Sequence, residues 1–295
     1  MPARPLVIAH RGASGYRPEH TLAAYELAIE MGADFIEPDL VITRDEVLIA
    51  RHENDITGTT DVLDRPELRD RRTTRWIDGR EVTGWFAEDF TLAEIKTLRA
   101  RERLEFRDHG FDGLFEVPTF QEILELARHR NVGVYPETKF PSYFRSIGLP
   151  LEEPLVAVLH AAGFRGRDDA VFLQSFERGS LQLLKTLIDL PRIQLLDVGE
   201  QTWDLTEIAT YADGIGPDKR LIVPAGPDGR LRPPTTLVEE AHRAGLLVHP
   251  WTFRSDPVFL APDYEGNAVR EIEQFLELGV DGLFCDFPDV VRREI

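Results

Sequence analysis

Phe35-Ile36-Glu37-Pro38-Asp39-Leu40-Val41-Ile42 leads through Thr43-Arg44-Asp45-Glu46 into Val47-Leu48-Ile49-Ala50-Arg51-His52. The polar link between these two apolar runs is too short for a parallel crossover, which needs a dozen or more residues. The runs therefore read as a hairpin. Taking Arg44-Asp45 as a two-residue turn sets Thr43 against Glu46, Asp39 against Ala50 and Glu37 against His52. Glu37 and Asp39 are two apart on a strand, so both side chains point to one face.

Strand-like runs recur at 6–10, 34–41, 47–52, 132–138, 171–175, 192–198, 213–217, 246–252 and 281–286. Helical patterns lie between most of them, among them Leu22 to Met31 behind a Thr21 cap, Phe120 to Arg130, Pro154 to Ala162 and Val269 to Leu278. This alternation is that of βαβ units around a parallel sheet. With 47–52 set aside as the hairpin's return arm, eight strands remain, the number of an α/β fold of the (β/α)8 TIM-barrel type. Residues 53–118 interrupt the rhythm with charge-rich text and read as a small inserted lobe within one catalytic domain spanning 1–295. Thr91-Leu92-Ala93-Glu94 fits a capping box and starts the helix that returns the chain to the barrel. The stretch from Pro224 to Pro234, opened by Gly and Pro, reads as a surface loop.

A chain of 295 residues with 42% hydrophobic content can fill one such barrel. Its 34 Lys and Arg against 52 Asp and Glu give a net charge of −18 and a pI near 4.9. That balance argues against nucleic acid or an anionic membrane as a partner held by bulk charge, and for a small molecule. No run approaches the ~20 apolar residues that span a bilayer. Cys285 is the only cysteine, so no internal disulfide is expected. No apolar leader precedes Leu6, so the sequence as written reads as cytoplasmic, or as periplasmic or secreted if a leader has been removed. It gives no oligomeric state.

Charged groups gather at the expected strand ends. Tyr135-Pro136-Glu137-Thr138-Lys139 adds a third carboxylate to Glu37 and Asp39. Neighbouring carboxylates repel unless one is protonated or a cation binds them. An all-oxygen set favours Ca²⁺ or Mg²⁺ over thiophilic metals, and the alternative is a set of salt bridges to Arg11 and Lys139. His10 ends the run Leu6-Val7-Ile8-Ala9 and His52 ends the hairpin, and two imidazoles near neutrality can divide the giving and taking of a proton. Arg11 offers a planar bidentate donor to a phosphate and Lys139 a point charge. Gln174 is a candidate to orient substrate oxygens, and Trp251 with Phe253 to pack on the carbon face of a small polyol. Asp286 reads as a cap for the last helix and Glu19 as a partner for Arg11.

The segments Ala9-His10-Arg11-Gly12-Ala13, Pro18-Glu19-His20-Thr21, Ile36-Glu37-Pro38-Asp39-Leu40, Arg51-His52-Glu53, Tyr135-Pro136-Glu137-Thr138-Lys139, Tyr211-Ala212-Asp213-Gly214-Ile215-Gly216-Pro217 and Gly282-Leu283-Phe284-Cys285-Asp286-Phe287-Pro288 resemble the glycerophosphodiester phosphodiesterase family. The resemblance runs from about Ile8 to Pro288 and is nearest the bacterial, periplasmic-type, calcium-using branch. It implies a barrel with an inserted lobe that converts glycerophosphodiesters to sn-glycerol 3-phosphate and an alcohol. It further implies Glu37, Asp39 and Glu137 as metal ligands, His10 and His52 as the acid-base pair, and Arg11 as a phosphate contact. His20 replaces the asparagine of many members, and Glu53 follows His52 where aspartate is usual. Two other readings stand beside metal-assisted hydrolysis: a divalent-metal sugar isomerase, which has no need of Arg11 and Lys139 together, and a non-catalytic binder of polyol phosphates.

Overall fold

Pro38 and Pro136 lack the amide hydrogen that a sheet ladder needs, and each divides an expected strand in two. The computed structural model describes residues 4–77, 79–199 and 203–295. Its strands are β1 (Leu6–His10), β2 (Phe35–Glu37), β3 (Asp39–Ile42), β4 (Leu48–Ala50), β5 (Thr73–Ile77), β6 (Arg80–Gly84), β7 (Gly133–Val134), β8 (Glu137–Thr138), β9 (Leu173–Ser175), β10 (Arg192–Leu196), β11 (Gly214–Pro217), β12 (Leu247–Val248) and β13 (Gly282–Cys285).

Parallel pairing runs from β13 through β1 and β2 to β7, and from β3 through β8, β9, β10 and β11 to β12. The ring closes between β12 and β13 by backbone bonds: Asp281 N donates to Val248 O at 2.9 Å, Phe284 N to Pro250 O at 3.1 Å and Phe253 N to Phe284 O at 2.8 Å. The fold is a (β/α)8 barrel, with β2–β3 and β7–β8 each acting as one broken barrel strand.

The hairpin of β3 and β4 forms, but one residue out of the expected register. Leu40 pairs with Ala50 and Ile42 with Leu48, and Arg51 N donates to Asp39 O at 3.0 Å, so neither Asp39 with Ala50 nor Glu37 with His52 is a facing pair. The turn holds three residues rather than two, because Glu46 adopts the left-handed region at φ 62°. Thr43 secures this wider loop by donating from Oγ1 to Asp45 Oδ1 at 2.7 Å and accepting from Val47 N at 3.0 Å.

Strand alternation sorts the rest. Ile8, Phe35, Tyr135, Ile193 and Phe284 pack together as a core within the barrel, while Val7, Ile36, Val134, Leu173, Ile215 and Leu283 belong to the cores between strands and helices. Two residues further along the inward-facing parity come His10, Glu37, Glu137, Leu195 and Asp286. The inner core therefore ends, Leu195 apart, in a polar layer at the C-terminal mouth.

The expected helices occur as Leu22–Glu30, Phe120–Arg130, Glu152–Ala161 and Ala268–Glu277. Thr21 caps the first, accepting from Ala24 N at 3.1 Å. The third starts two residues before the expected Pro154, because proline fits a first turn whose amides need no partner there. Within 53–118, Leu92–Ile95 carries the expected Thr91/Glu94 capping box. The same segment contains the β5–β6 hairpin, which its charge-rich sequence did not announce. Arg75 pairs across this hairpin with Val82, and Ile77 with Arg80, so the four share a face. Arg75 anchors that face to the rim, donating to Glu88 Oε1 at 2.7 Å and Tyr143 at 2.9 Å and pairing with Asp89.

Candidate active site

β1 delivers His10 and then turns sharply through Arg11 at φ 61° and Gly12 at φ 83°. Only glycine fits the second position: a Cβ there would lie 2.6 Å from the Ala24 carbonyl carbon. The turn points the Arg11 amide at Glu37 Oε2, 2.9 Å away, and its guanidinium at Glu19 Oε2 (2.9 Å) and Asp39 Oδ2 (3.1 Å). Glu19 is thus the Arg11 partner that the sequence indicated. His20, fully buried, places Nε2 2.9 Å from Asp39 Oδ2 and Nδ1 2.8 Å from the Tyr25 hydroxyl, which fixes the Asp39 carboxylate from below.

Glu37, Asp39 and Glu137 bring ligand oxygens within 4.8 Å of one another, all buried. Burial, then the charges of Asp39 and Glu137, pushes the Glu37 carboxyl well above its ordinary range. Burial raises Glu137 to about 8, against the opposing pull of Lys139, whose ammonium is 2.8 Å away. Asp39 stays well below the usual range, since Lys139, His52, Arg11 and the His20 bond outweigh its burial. Carboxyls driven up by burial and by one another lack positive charge, and their oxygen donors suit a hard divalent cation. The residues present fit such a metal.

Both histidines turn Nδ1 to a carboxylate. His10 Nδ1 lies 2.7 Å from Asp286 Oδ1 and His52 Nδ1 lies 2.8 Å from Glu53 Oε1. In each ring Nε2 remains for the cavity. Burial, followed by the Arg11 charge, lowers His10 to about 3, and burial with Arg11 and Lys139 lowers His52 to about 4. Both shifts favour the neutral ring at pH 7.

A cavity of about 790 Å³ joins these groups: His10, Arg11, Glu37, Asp39, His52, Glu137, Lys139, Gln174 and Trp251 all line it. Gln174 Nε2 donates to Glu37 Oε1 at 3.1 Å, and its Oε1 is buried without a partner among the described residues. Trp251 is held by its indole N–H to Gly216 O at 2.7 Å and meets Phe176 edge-on at 5.8 Å. Phe253 does not reach the cavity; it packs on Phe275 in the outer core, because it pairs in parallel with Cys285, whose side chain faces that same core. Asp286 is not a helix cap either. Phe287 occupies the cap position of Pro288–Glu294, and the Asp286 carboxylate serves His10, Arg107 and Arg254.

Sequence reasoning passed over Arg103 and Arg254, which line the cavity from loops, and Arg107, which reaches Asp286 from a loop. Ile77, Arg80 and Val82 of the β5–β6 hairpin also line the cavity. No periodic pattern marks such residues.

A cavity of this kind at the C-terminal mouth of a (β/α)8 barrel defines a barrel enzyme. The chain belongs to the glycerophosphoryl diester phosphodiesterase family, whose model matches residues 10–290. It is 39% identical to a glycerophosphodiester phosphodiesterase of Arabidopsis thaliana over 97% of this chain and 84% of the relative. It is 33% identical to the glycerophosphodiester phosphodiesterase of Bacillus subtilis over 99% of this chain and 87% of that one. Among solved structures it is similar to a putative glycerophosphoryl diester phosphodiesterase of Silicibacter pomeroyi, with a TM-score of 0.74, 23% identity and coverage of 99% and 93%. It is also similar to an Oleispira antarctica phosphodiesterase solved in complex with the product sn-glycerol-3-phosphate, with a TM-score of 0.69, 21% identity and coverage of 98% and 96%. Membership of this family sets aside the sugar-isomerase and non-catalytic readings. No described helix is long and apolar enough to cross a membrane.

Proposed function

We propose that the chain hydrolyses glycerophosphodiesters such as glycerophosphocholine or glycerophosphoethanolamine to sn-glycerol 3-phosphate and an alcohol. One observation carries this reading: two histidines, each backed by a carboxylate on Nδ1, line the same cavity as Arg11, Lys139 and the acidic triad. The Oleispira antarctica protein of the same fold holds sn-glycerol-3-phosphate, and the proposal carries that product to this chain.

Glu37, Asp39 and Glu137 would hold the divalent cation, Ca²⁺ first and Mg²⁺ second. When bound, such a cation polarises a phosphate oxygen and lowers the pKa of the attacking hydroxyl or water. Arg11 and Lys139 bind the phosphate and stabilise the charge that develops as it becomes pentacoordinate. One histidine takes the nucleophile's proton at Nε2, and the other gives a proton from Nε2 to the leaving alcohol oxygen. Beyond burial, Arg11 depresses both rings and Lys139 depresses His52, and the negative charge of a bound phosphodiester opposes these cations, which lets one ring carry the proton it must give. The nucleophile is water or the glycerol 2-hydroxyl; the second route gives a cyclic phosphate that water then opens. Gln174 Oε1 offers an acceptor to a substrate hydroxyl, and Trp251 a face for its carbons. The lobe over 53–118 covers the mouth.

The test is release of glycerol 3-phosphate from glycerophosphocholine in Ca²⁺, Mg²⁺ or chelator. Full activity in chelator, or in His10→Ala, would overturn the proposal.

A further inference from the structure

One short stretch of the inserted lobe grips two of the carboxylates that aim the site. Arg103 Nε donates to Glu19 Oε2 at 2.8 Å, the same oxygen that accepts from Arg11 Nη1 at 2.9 Å. Arg107 Nη2 donates to Asp286 Oδ2 at 2.6 Å, and the other oxygen of that carboxylate faces His10 Nδ1 at 2.7 Å. Arg107 goes further: the same nitrogen reaches Asp256 Oδ2 at 2.6 Å, and Nη1 donates to Ser14 O at 3.0 Å. One guanidinium therefore joins the loop after β1, the loop after β12 and the end of β13. Its side chain is 6% exposed, so these bonds are screened little by water.

We infer that Arg103 and Arg107 are positioning residues, which act through Glu19 on the phosphate-binding Arg11 and through Asp286 on His10. The lobe thereby completes the catalytic machinery of the barrel rather than only covering it. A buried carboxylate is costly unless cations and hydrogen bonds compensate its charge. Glu19 and Asp286 are each held as anions by two guanidiniums, Glu19 by Arg11 and Arg103 and Asp286 by Arg254, through a 3.0 Å bond, and Arg107; in each pair one guanidinium comes from the lobe. Held by Arg107, Asp286 accepts the Nδ1 proton of His10 and keeps Nε2 as the nitrogen that faces substrate.

The inference rests on the acid-base reading of His10, and the experiment separates the two. Arg103→Met, Arg107→Met, Arg107→Lys, Asp286→Asn and the double variant Arg107→Met/Asp286→Asn are assayed with the cation-loaded enzyme, with kcat and KM taken separately and normalised to folded protein. Arg107→Met should lower kcat ~10- to 100-fold with KM little changed, Arg107→Lys should recover part of that loss, and added guanidinium ion should do the same. The double variant should be no slower than Asp286→Asn alone, as expected of residues in one line of action. Arg103→Met should instead act on binding, raising KM and weakening calorimetric affinity for sn-glycerol 3-phosphate ~5-fold. The ¹⁵N shifts of the His10 ring should show Nδ1–H weakened or lost as the major tautomer in Arg107→Met. Additive losses in the double variant, an unchanged tautomer, or parent-like kcat beside an inactive His10→Ala overturn the clamp alone. A fully active His10→Ala overturns the acid-base reading and the clamp with it. Should Arg107→Met not fold, Arg107→Lys and its double with Asp286→Asn give the same comparison.

Discussion

The Nδ1 atom of His52 lies 2.8 Å from Oε1 of Glu53, the residue that follows it, and this pair is open to water, with 31% and 50% of the two side chains exposed. The equivalent pair at His10 is closed, with Asp286 3% exposed. Exposed polar pairs of this kind contribute little because water screens them and competes for both partners. Glu53→Gln should therefore lower kcat only ~2- to 5-fold, whereas Asp286→Asn lowers it ~10- to 100-fold. Side-by-side steady-state kinetics of the two variants check the order. Equal losses would mean that the solvent-facing carboxylate orients its ring as firmly as the buried one.

The acidic triad predicts two effects of opposite character from one substitution. Without a cation, burial and the charges of Asp39 and Glu137 favour the neutral Glu37 carboxyl, so Glu37→Gln replaces it with a group of similar shape and charge. Metal-free stability should change by less than about 1 kcal/mol. The cation-induced stabilisation, which should reach about 2.7 kcal/mol at a concentration a hundredfold above Kd in the parent, should largely vanish together with the rise in melting temperature that reports it. Thermal melts in chelator and in a Ca²⁺ or Mg²⁺ series measure both. A strongly destabilised metal-free variant would show that Glu37 acts there as an anion.

Much of this was legible because a barrel reads its strands by parity. Leu6, Ile8 and His10, or Phe35 and Glu37, alternate with outward residues, so an apolar run that ends in a charge announces both an inward face and a mouth. Parity fails soon after strands stop. Trp251 still keeps the inward parity past the end of β12, but Phe253, two residues on, pairs with outward-facing Cys285 and turns into the outer core. The hairpin register missed by one residue because Glu46 takes a left-handed conformation that a non-glycine residue rarely adopts. Asp286 looked like a cap because it precedes Phe287-Pro288, and its partners Arg107 and His10 lie far away in sequence. Long-range ion pairs leave no local pattern, so the clamp from the lobe appears only in three dimensions.

His249 lies beneath the mouth, fully buried, with Nδ1 2.8 Å from the Tyr135 hydroxyl and Nε2 without a partner among the described residues. Burial lowers its pKa from 6.5 to about 4. The unfolded chain takes up this proton first as pH falls, so the contribution is complete above pH 6.5 and is lost progressively toward pH 4. The shift corresponds to about 3 kcal/mol across that window. His249→Gln keeps a hydrogen-bonding partner for Tyr135 and does not titrate. Its stability should fall less steeply than the parent's from pH 6.5 to 4, whatever its value at neutral pH. Denaturant melts at several pH values give the two slopes; parallel slopes would rule out His249 as a source of acid sensitivity.

Gly12 couples the fold to the site most directly. It follows Arg11, sits at φ 83° and lies so close to the helix Leu22–Glu30 that a Cβ would stand 2.6 Å from the Ala24 carbonyl carbon and 2.8 Å from the Tyr25 amide nitrogen. These neighbours are backbone atoms of a capped helix and cannot rotate away. Gly12→Ala thus meets two penalties, about 1–2 kcal/mol for a left-handed non-glycine residue and about 1–3 kcal/mol for overpacking. If the chain yields by moving the helix, it loses stability; if it yields by unwinding the turn, Arg11 loses its aim at Glu19 and Asp39. The expected outcome is destabilisation of about 2–5 kcal/mol, with the surviving folded enzyme showing a raised KM, since Arg11 binds the phosphate in the proposed reaction. Denaturant unfolding and steady-state kinetics on the same preparation test both halves. Parent-like stability and KM together would mean that the β1 turn has room that these contacts deny it.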